Sequence, residues 1–186
     1  FTSTSSTLTA NAGLFGKVYF PRLIVPLSAV VSNVISFLIQ LGSFLVVLVI
    51  YRLTHPEVSA GPRWEAILLL PLVLLHLATF GLGVGLWLAA LTAKFRDFAV
   101  LSGFLLQLWL YVTPVIVPLA GVPSEYHFIV GLNPVTIPVE CMRYLLLGVG
   151  WINPSLLIVS IASTLVTVIS GIFVFRQVER TFVDVV

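Results

Sequence analysis

Four long stretches of this chain carry no charged side chain, and their length constrains the fold more than any other feature. They cover residues 23–50, 66–93, 98–124 and 144–175. Each exceeds the roughly 20 apolar residues that cross a ~30 Å hydrocarbon core. Because that core holds no water for backbone groups, runs of this length without strand-like alternation can satisfy their N–H and C=O groups only as helices. The sequence therefore predicts an all-α, polytopic membrane protein.

The composition argues against an enzyme. Of the 186 residues 59% are hydrophobic and 9% charged, so little of the chain is left for a soluble catalytic domain. The sequence contains no G-x-x-x-x-G-K-[ST] phosphate loop, so nucleotide chemistry has to come from a partner and no cofactor is expected here. Cys141 is the single cysteine, and the acids are scattered with none beside His76. We therefore predict neither a metal site nor the acid, base or metal clusters of a membrane-embedded transferase.

The distribution of lysine and arginine predicts the orientation. If successive apolar stretches face alternate sides, one side receives six basic residues: Lys17, Arg22, Lys94, Arg96, Arg176 and Arg180. The other side receives three: Arg52, Arg63 and Arg143. The more basic side is cytoplasmic by the positive-inside rule. This predicts transmembrane helices at 23–50, 66–93, 98–118 and 152–175, with residues 1–22 and the tail 176–186 in the cytoplasm.

The segment 119–150 does not resemble an aqueous loop, because it is mostly apolar. A full span over 134–150 would place Glu140 and Arg143 near mid-bilayer, at about 2.5–3.5 kcal/mol for each charge. We predict instead a re-entrant hairpin of two short helices that dip into the outer leaflet. Glu140 and Arg143 lie three residues apart on one helical face, where they can neutralise each other. A loop lying flat on the interface is the alternative.

Helix breakers occur where such a hairpin needs them. Pro114, Pro118, Gly121 and Pro123 are predicted to end the third span. Asn133-Pro134 resembles an N-cap followed by proline at the first helical position. Gly148 and Gly150 are predicted to stop that helix, and Asn153-Pro154 to start the last span.

Polar and small residues line one face of several spans. In the first span they recur every four residues, and in the second they form a small-x-x-x-small pattern over Gly81, Gly85, Ala89 and Ala93. Such faces serve helix packing or a polar translocation path, and both interpretations stay open. Candidate path-lining residues are Ser32, Ser36, Gln40, Gln107, Trp109 and Tyr111. His76 is interpreted as a hydrogen-bonded packing residue rather than a proton relay.

Four sequence segments together indicate a family. They are Asn-Ala-Gly-Leu-Phe-Gly-Lys-Val-Tyr-Phe-Pro-Arg at 11–22, Ala-Lys-Phe-Arg-Asp-Phe at 93–98, the run from Leu-Asn-Pro at 132–134 to Leu-Leu-Gly at 146–148, and Phe-Arg-Gln-Val-Glu-Arg-Thr-Phe-Val-Asp at 175–184. In this order the chain resembles the type-2 ATP-binding-cassette permeases that export O-antigen, capsule and teichoic acid.

The resemblance implies a homodimeric transport subunit in the plasma (bacterial inner) membrane, driven by cytoplasmic ATPase subunits that bind ATP and Mg²⁺. It implies six spans in the complete protein, with an amphipathic segment, the first span and most of the second preceding this sequence. The cargo would be a lipid-linked polysaccharide or polyol-phosphate polymer. The alternatives are a type-2 permease for a drug or small hydrophobic molecule and a structural membrane subunit without transport.

The resemblance also implies roles for two groups of residues. The ATPase-coupling group comprises Asn11, Lys17, Tyr19, Phe20, Pro21, Arg22, Lys94, Arg96 and Asp97. The outer-gate group comprises Pro114, Asn133, Pro134, Glu140 and Arg143. No nucleic-acid partner is expected.

Overall fold

The computed structural model describes residues 23–55, 64–95 and 97–183, and every regular element among them is helical. The long helices are α1 (Ile24–Thr54), α2 (Trp64–Lys94) and α6 (Pro154–Val183). Between α2 and α6 lie α3 (Phe98–Val112), two 3-10 turns (Leu119–Gly121 and Ser124–Tyr126), α4 (His127–Gly131) and α5 (Thr136–Leu147). The all-helical prediction is therefore confirmed for the described part of the chain.

Three helices in the described ranges are long and apolar enough to cross a bilayer, namely Ile24–Thr54, Leu68–Lys94 and Pro154–Glu179. The 31 residues of α1 give a rise of about 46 Å, more than the ~30 Å hydrocarbon core requires. Their outward side chains are mostly leucine, isoleucine, valine and phenylalanine, which a lipid environment accommodates. These features are those of a multi-pass membrane protein.

The third predicted span differs from the structure at its outer end. We expected it over 98–118, but α3 has 15 residues and ends at Val112. Proline lacks an N–H and disfavours the helical conformation of the residue before it, so Pro114 ends the helix here. A helix of this length rises about 22 Å, and the chain continues without regular structure to Pro118.

The described residues form two compact units, and each of the long helices contributes to both. One unit contains residues 23–32, 78–110 and 162–183, and its apolar core is Leu86, Ala89 and Phe175 with Leu23, Leu82 and Ile172 packed against it. Glycines bring α2 and α6 together here: a Cβ on Gly171 would lie 2.7 Å from the Gly83 carbonyl oxygen. The indole of Trp87 donates a 3.0 Å hydrogen bond to the Ser170 hydroxyl.

The other unit contains residues 33–55, 64–77 and 111–161, and therefore includes the predicted re-entrant segment. Its two predicted short helices are unequal. The first is divided into two 3-10 turns and the five residues of α4, whereas the second is the 12-residue helix α5. Pro118 precedes the first 3-10 turn and Pro123 the second. The fixed φ of proline favours a turn over a continuous helix, which explains why this helix is divided.

Local signals set most helix ends in this second unit. The Asn153 side-chain oxygen accepts a 2.9 Å hydrogen bond from the Ser155 N–H, which confirms Asn153-Pro154 as the start of α6. Gly148 ends α5 with φ of 74°, a left-handed conformation that glycine adopts without strain. The regular part of α5 begins at Thr136, two residues later than the Asn133-Pro134 signal predicted.

Candidate functional site

The turn before α5 joins the end of α3. The Asn133 side chain accepts a 3.2 Å hydrogen bond from the Val135 N–H and donates one of 3.2 Å to the Thr113 hydroxyl. The N-cap residue of α5 is Val135, which makes no side-chain cap hydrogen bond, so the predicted N-cap at Asn133 is wrong; its side chain holds the turn before the helix instead. The same side chain thus holds the entry of α5 beside the residue after α3.

A second polar chain joins this turn to α6 and α2. The Ser160 hydroxyl donates a 2.5 Å hydrogen bond to the Pro134 carbonyl, and its oxygen lies 3.1 Å from His76 Nε2. Ser160 is 1% exposed. Since its proton is directed at Pro134, its oxygen is the acceptor for an Nε2–H of His76. His76 therefore has the hydrogen-bonded packing role that the sequence suggested.

Glu140 is the most buried charged residue in the described part of the chain, at 1% exposure. One carboxylate oxygen accepts hydrogen bonds from the Leu119 N–H, at 3.1 Å, and from the Arg143 guanidinium. The other oxygen accepts a 3.1 Å hydrogen bond from the Trp151 N–H. Three donors in an apolar setting compensate the loss of water around the carboxylate.

Arg143 extends this network to the chain after α3. Its second terminal nitrogen donates to the carbonyl oxygens of Pro114, at 3.1 Å, and Val115, at 3.4 Å. We call this network the Glu140 hub; it comprises the side chains of Glu140 and Arg143 and the backbone groups of Pro114, Val115, Leu119 and Trp151. The hub satisfies backbone groups of irregular segments that have no helix or strand to pair with.

Gly150 allows the chain after α5 to close over the hub. A Cβ at this position would lie 2.7 Å from the Glu140 carbonyl oxygen and 3.0 Å from Tyr144. Only glycine fits so close to the helix, and this approach brings the Trp151 N–H to the carboxylate. Beyond the hub, the Trp151 ring packs edge-on against His127, with centroids 5.2 Å apart.

The structure brings the five predicted outer-gate residues into two linked contact sets. Glu140, Arg143 and Pro114 belong to the hub, while Asn133 and Pro134 belong to the turn before α5. The partners Leu119, Trp151 and Ser160 were not predicted. One local signal indicated that the Pro134 carbonyl would need a partner such as Ser160. Pro138, four residues later, has no N–H to donate to that carbonyl.

The predicted coupling residues lie mostly outside the described residues: Asn11, Lys17, Tyr19, Phe20, Pro21, Arg22 and Arg96. Lys94 and Asp97 are described, and both are exposed. The Lys94 ammonium lies 5.4 Å from the ring centroid of Phe95, a cation–π contact at the end of α2. A coupling role for this group stays a prediction.

The predicted path-lining side chains are exposed in the described part of the chain. They are Ser32, Ser36 and Gln40 on α1 and Gln107, Trp109 and Tyr111 at the end of α3. The Trp109 ring contacts that of Phe80 at a centroid distance of 6.3 Å, so it packs against α2. A path-lining role for this group stays a prediction. No group of three or more metal-binding side chains occurs among the described residues.

Comparison with known proteins decides the family. The family model for the ABC-2 type transporter membrane domain matches residues 1–147, which include the whole Glu140 hub except Trp151. The chain belongs to the ABC-2 type transporter family.

Among similar ABC-2 permeases, an "O-antigen export system permease protein RfbA" of Myxococcus xanthus is 33% identical over 132 residues, covering 70% of this chain and 48% of that protein. A protein of the same name from Klebsiella pneumoniae is 24% identical over 176 residues, covering 95% of this chain and 65% of that protein. The chain thus spans about half to two-thirds of the length of these relatives.

Proposed function

We propose that this chain is the membrane-spanning part of a permease subunit that exports a lipid-linked polysaccharide or polyol-phosphate polymer across the plasma (inner) membrane. The names of the M. xanthus and K. pneumoniae relatives support the cargo class. ATP and Mg²⁺ would bind a separate cytoplasmic ATPase, and the permease would act as a homodimer. Transport, rather than catalysis by this chain, is the proposed activity.

The structural observation that carries the proposal is the Glu140 hub. Irregular backbone at membrane depth is tolerated where it is buried in protein or lines a water-filled cavity. The hub supplies hydrogen-bond partners to such backbone at residues 114, 115, 119 and 151. It therefore makes a non-helical segment compatible with the outer part of a membrane domain, which is what an outer gate requires.

The proposed topology has four spans in this chain, the third consisting of α3 and the residues after it. The segment 119–150 would then dip into the outer leaflet and return, with α5 reaching about 18 Å if it stood upright. Residues 11–22 and the turn after α2 would face the cytoplasm and contact the ATPase. Pro114, Asn133, Pro134, Glu140 and Arg143 would hold the outer gate.

The direct test uses the full-length protein in a bacterial strain whose own copy has been deleted. Restoring the gene together with that of its ATPase should restore surface polysaccharide, measured by extraction and gel analysis. In the deletion strain, the lipid-linked polymer should accumulate inside the cell. An ATPase variant whose phosphate-loop lysine is replaced provides the control for ATP dependence.

Two outcomes contradict the proposal. Normal surface polysaccharide in the deletion strain, with increased sensitivity to hydrophobic toxins, would identify a small-molecule exporter instead. Normal polysaccharide and normal toxin resistance would favour a structural subunit.

A further inference from the structure

The turn before α5 contains a backbone carbonyl, that of Pro134, which no backbone N–H four residues later can satisfy. In a regular helix the carbonyl of Pro134 would accept a hydrogen bond from the N–H four residues later, but that residue is Pro138. The proline ring also crowds the carbonyl four residues before it and turns that group away from the helix axis. Pro138 thus both removes a donor and directs the Pro134 carbonyl outwards.

The Ser160 hydroxyl on α6 supplies the missing donor. It lies 2.5 Å from the Pro134 carbonyl oxygen, and it accepts in turn from His76 on α2 at 3.1 Å. Ser160 is almost fully buried, so its hydroxyl needs protein partners, and the Pro134 carbonyl is one of them. The hydrogen bond therefore joins two residues that are 26 positions apart in sequence.

Further contacts lie along the same surface. Gly131, at the end of α4, packs so closely on Leu156 of α6 that a Cβ there would overlap the leucine side chain. The Thr136 hydroxyl donates a 2.7 Å hydrogen bond to the Val130 carbonyl. The segment from α4 to α5 is thus held to α6 both by a hydrogen bond and by close apolar packing.

We propose that Ser160 is a positioning residue that fixes the entry of α5 to α6, through the carbonyl that Pro138 releases. His76 orients the Ser160 hydroxyl. The segment from α4 to α5 then moves together with α6 rather than independently of it. The link to export rests on the proposed function, whereas the link between the two elements does not.

The test is a double-mutant cycle with Ser160→Ala and Pro138→Ala in the full-length protein. Ser160→Ala leaves the Pro134 carbonyl without its donor. Pro138→Ala restores an N–H within α5 that can reach the same carbonyl. Removing the Ser160 hydroxyl should therefore loosen the start of α5 when residue 138 is proline. It should have little effect there when residue 138 is alanine.

Hydrogen exchange at the start of α5 is the first measurement, because the Thr136 and Val139 amides make the opening hydrogen bonds of this helix. We expect Ser160→Ala to accelerate their exchange by about 5- to 150-fold, the range for losing one partner of a buried polar group. In the double variant, which carries Ser160→Ala and Pro138→Ala, the exchange rate should lie within about threefold of the rate for Pro138→Ala alone. Ser155→Ala, an exposed serine on the same helix, is the matched control and should leave the rate unchanged.

Export of surface polysaccharide per amount of inserted protein is the second measurement, and it should follow the same pattern. If Ser160→Ala proves too unstable to purify, Ser160→Cys keeps a weak donor of similar size and should give an intermediate rate. A Ser160→Ala variant with unchanged exchange would overturn the proposal. Equal effects of Ser160→Ala in the proline and alanine backgrounds would also overturn it, because the hydroxyl would then act on something other than the Pro134 carbonyl.

The two measurements separate this inference from the proposed function. If the exchange rates follow the cycle while even the unaltered protein exports no polysaccharide, the positioning role is supported and the proposed cargo is wrong.

Discussion

Glu140 and Arg143 allow the sharpest test of the hub, because each can be neutralised alone or together. Glu140→Gln keeps one acceptor oxygen but places an amide N–H₂ where the carboxylate accepts from backbone N–H groups. It also leaves Arg143 without its counter-charge. Arg143→Gln leaves a carboxylate that is 1% exposed with two backbone donors but no cation.

The expected magnitudes follow from this geometry. Breaking a buried ion pair by removing one partner costs about 3–5 kcal/mol, so additive losses for the two changes would be about 6–10 kcal/mol. The double variant leaves no unpaired charge, and we expect it to lose less than either single variant. An exposed pair would contribute only about 0–1 kcal/mol.

Thermal unfolding of the solubilised full-length protein is a suitable assay. With a Tm shift of about 2–4 °C per kcal/mol for a chain of this size, each single variant should unfold roughly 6–20 °C below the unaltered protein. Glu125→Gln is the control, since this acid is exposed in the second 3-10 turn. It should change the Tm by less than about 2 °C.

The result that would refute the hub is a pair of silent single variants. Strictly additive losses in the double variant would instead show that the two residues act separately, for instance on the substrate. Export measured in cells should fall with the Tm in the single variants and recover in part in the double variant.

The remaining predictions concern orientation, coupling and packing. A thiol introduced by Arg96→Cys, with the native cysteine replaced by alanine, should react with an impermeant reagent only after the cells are opened; labelling from outside would reverse the orientation. Pro21→Ala combined with Arg22→Glu should leave insertion, dimerisation and ATP hydrolysis intact but lower export, and normal export in that variant would remove the coupling role. Gly171→Val should lower the Tm by roughly 2–12 °C through overpacking of about 1–3 kcal/mol against the α2 backbone. Gly42→Ala, where a Cβ meets nothing within 4 Å, should be neutral or slightly stabilising, and equal effects of the two glycine changes would contradict the close packing of α2 on α6.

Local sequence signals located the three long helices because their physical causes are local. The length of each apolar stretch, the Asn153-Pro154 start of α6 and the glycine that ends α5 act within a few residues. They were therefore predictable from the sequence. The spacing of Glu140 and Arg143 likewise placed both charges on one helical face, and the structure pairs them.

Tertiary structure decided which distant backbone groups these side chains serve. The bond from Leu119 to Glu140 joins residues 21 positions apart, and the bond from Ser160 to Pro134 joins residues 26 positions apart. No local periodicity specifies such pairs, because they depend on how α5 and α6 pack and on the close approach that Gly150 permits. The sequence alone determined that two charges would have to be neutralised in an apolar segment and that Pro138 would release a carbonyl. Only the packed chain supplied the partners, since burial makes an unsatisfied polar group costly and the fold must bring a donor to each one.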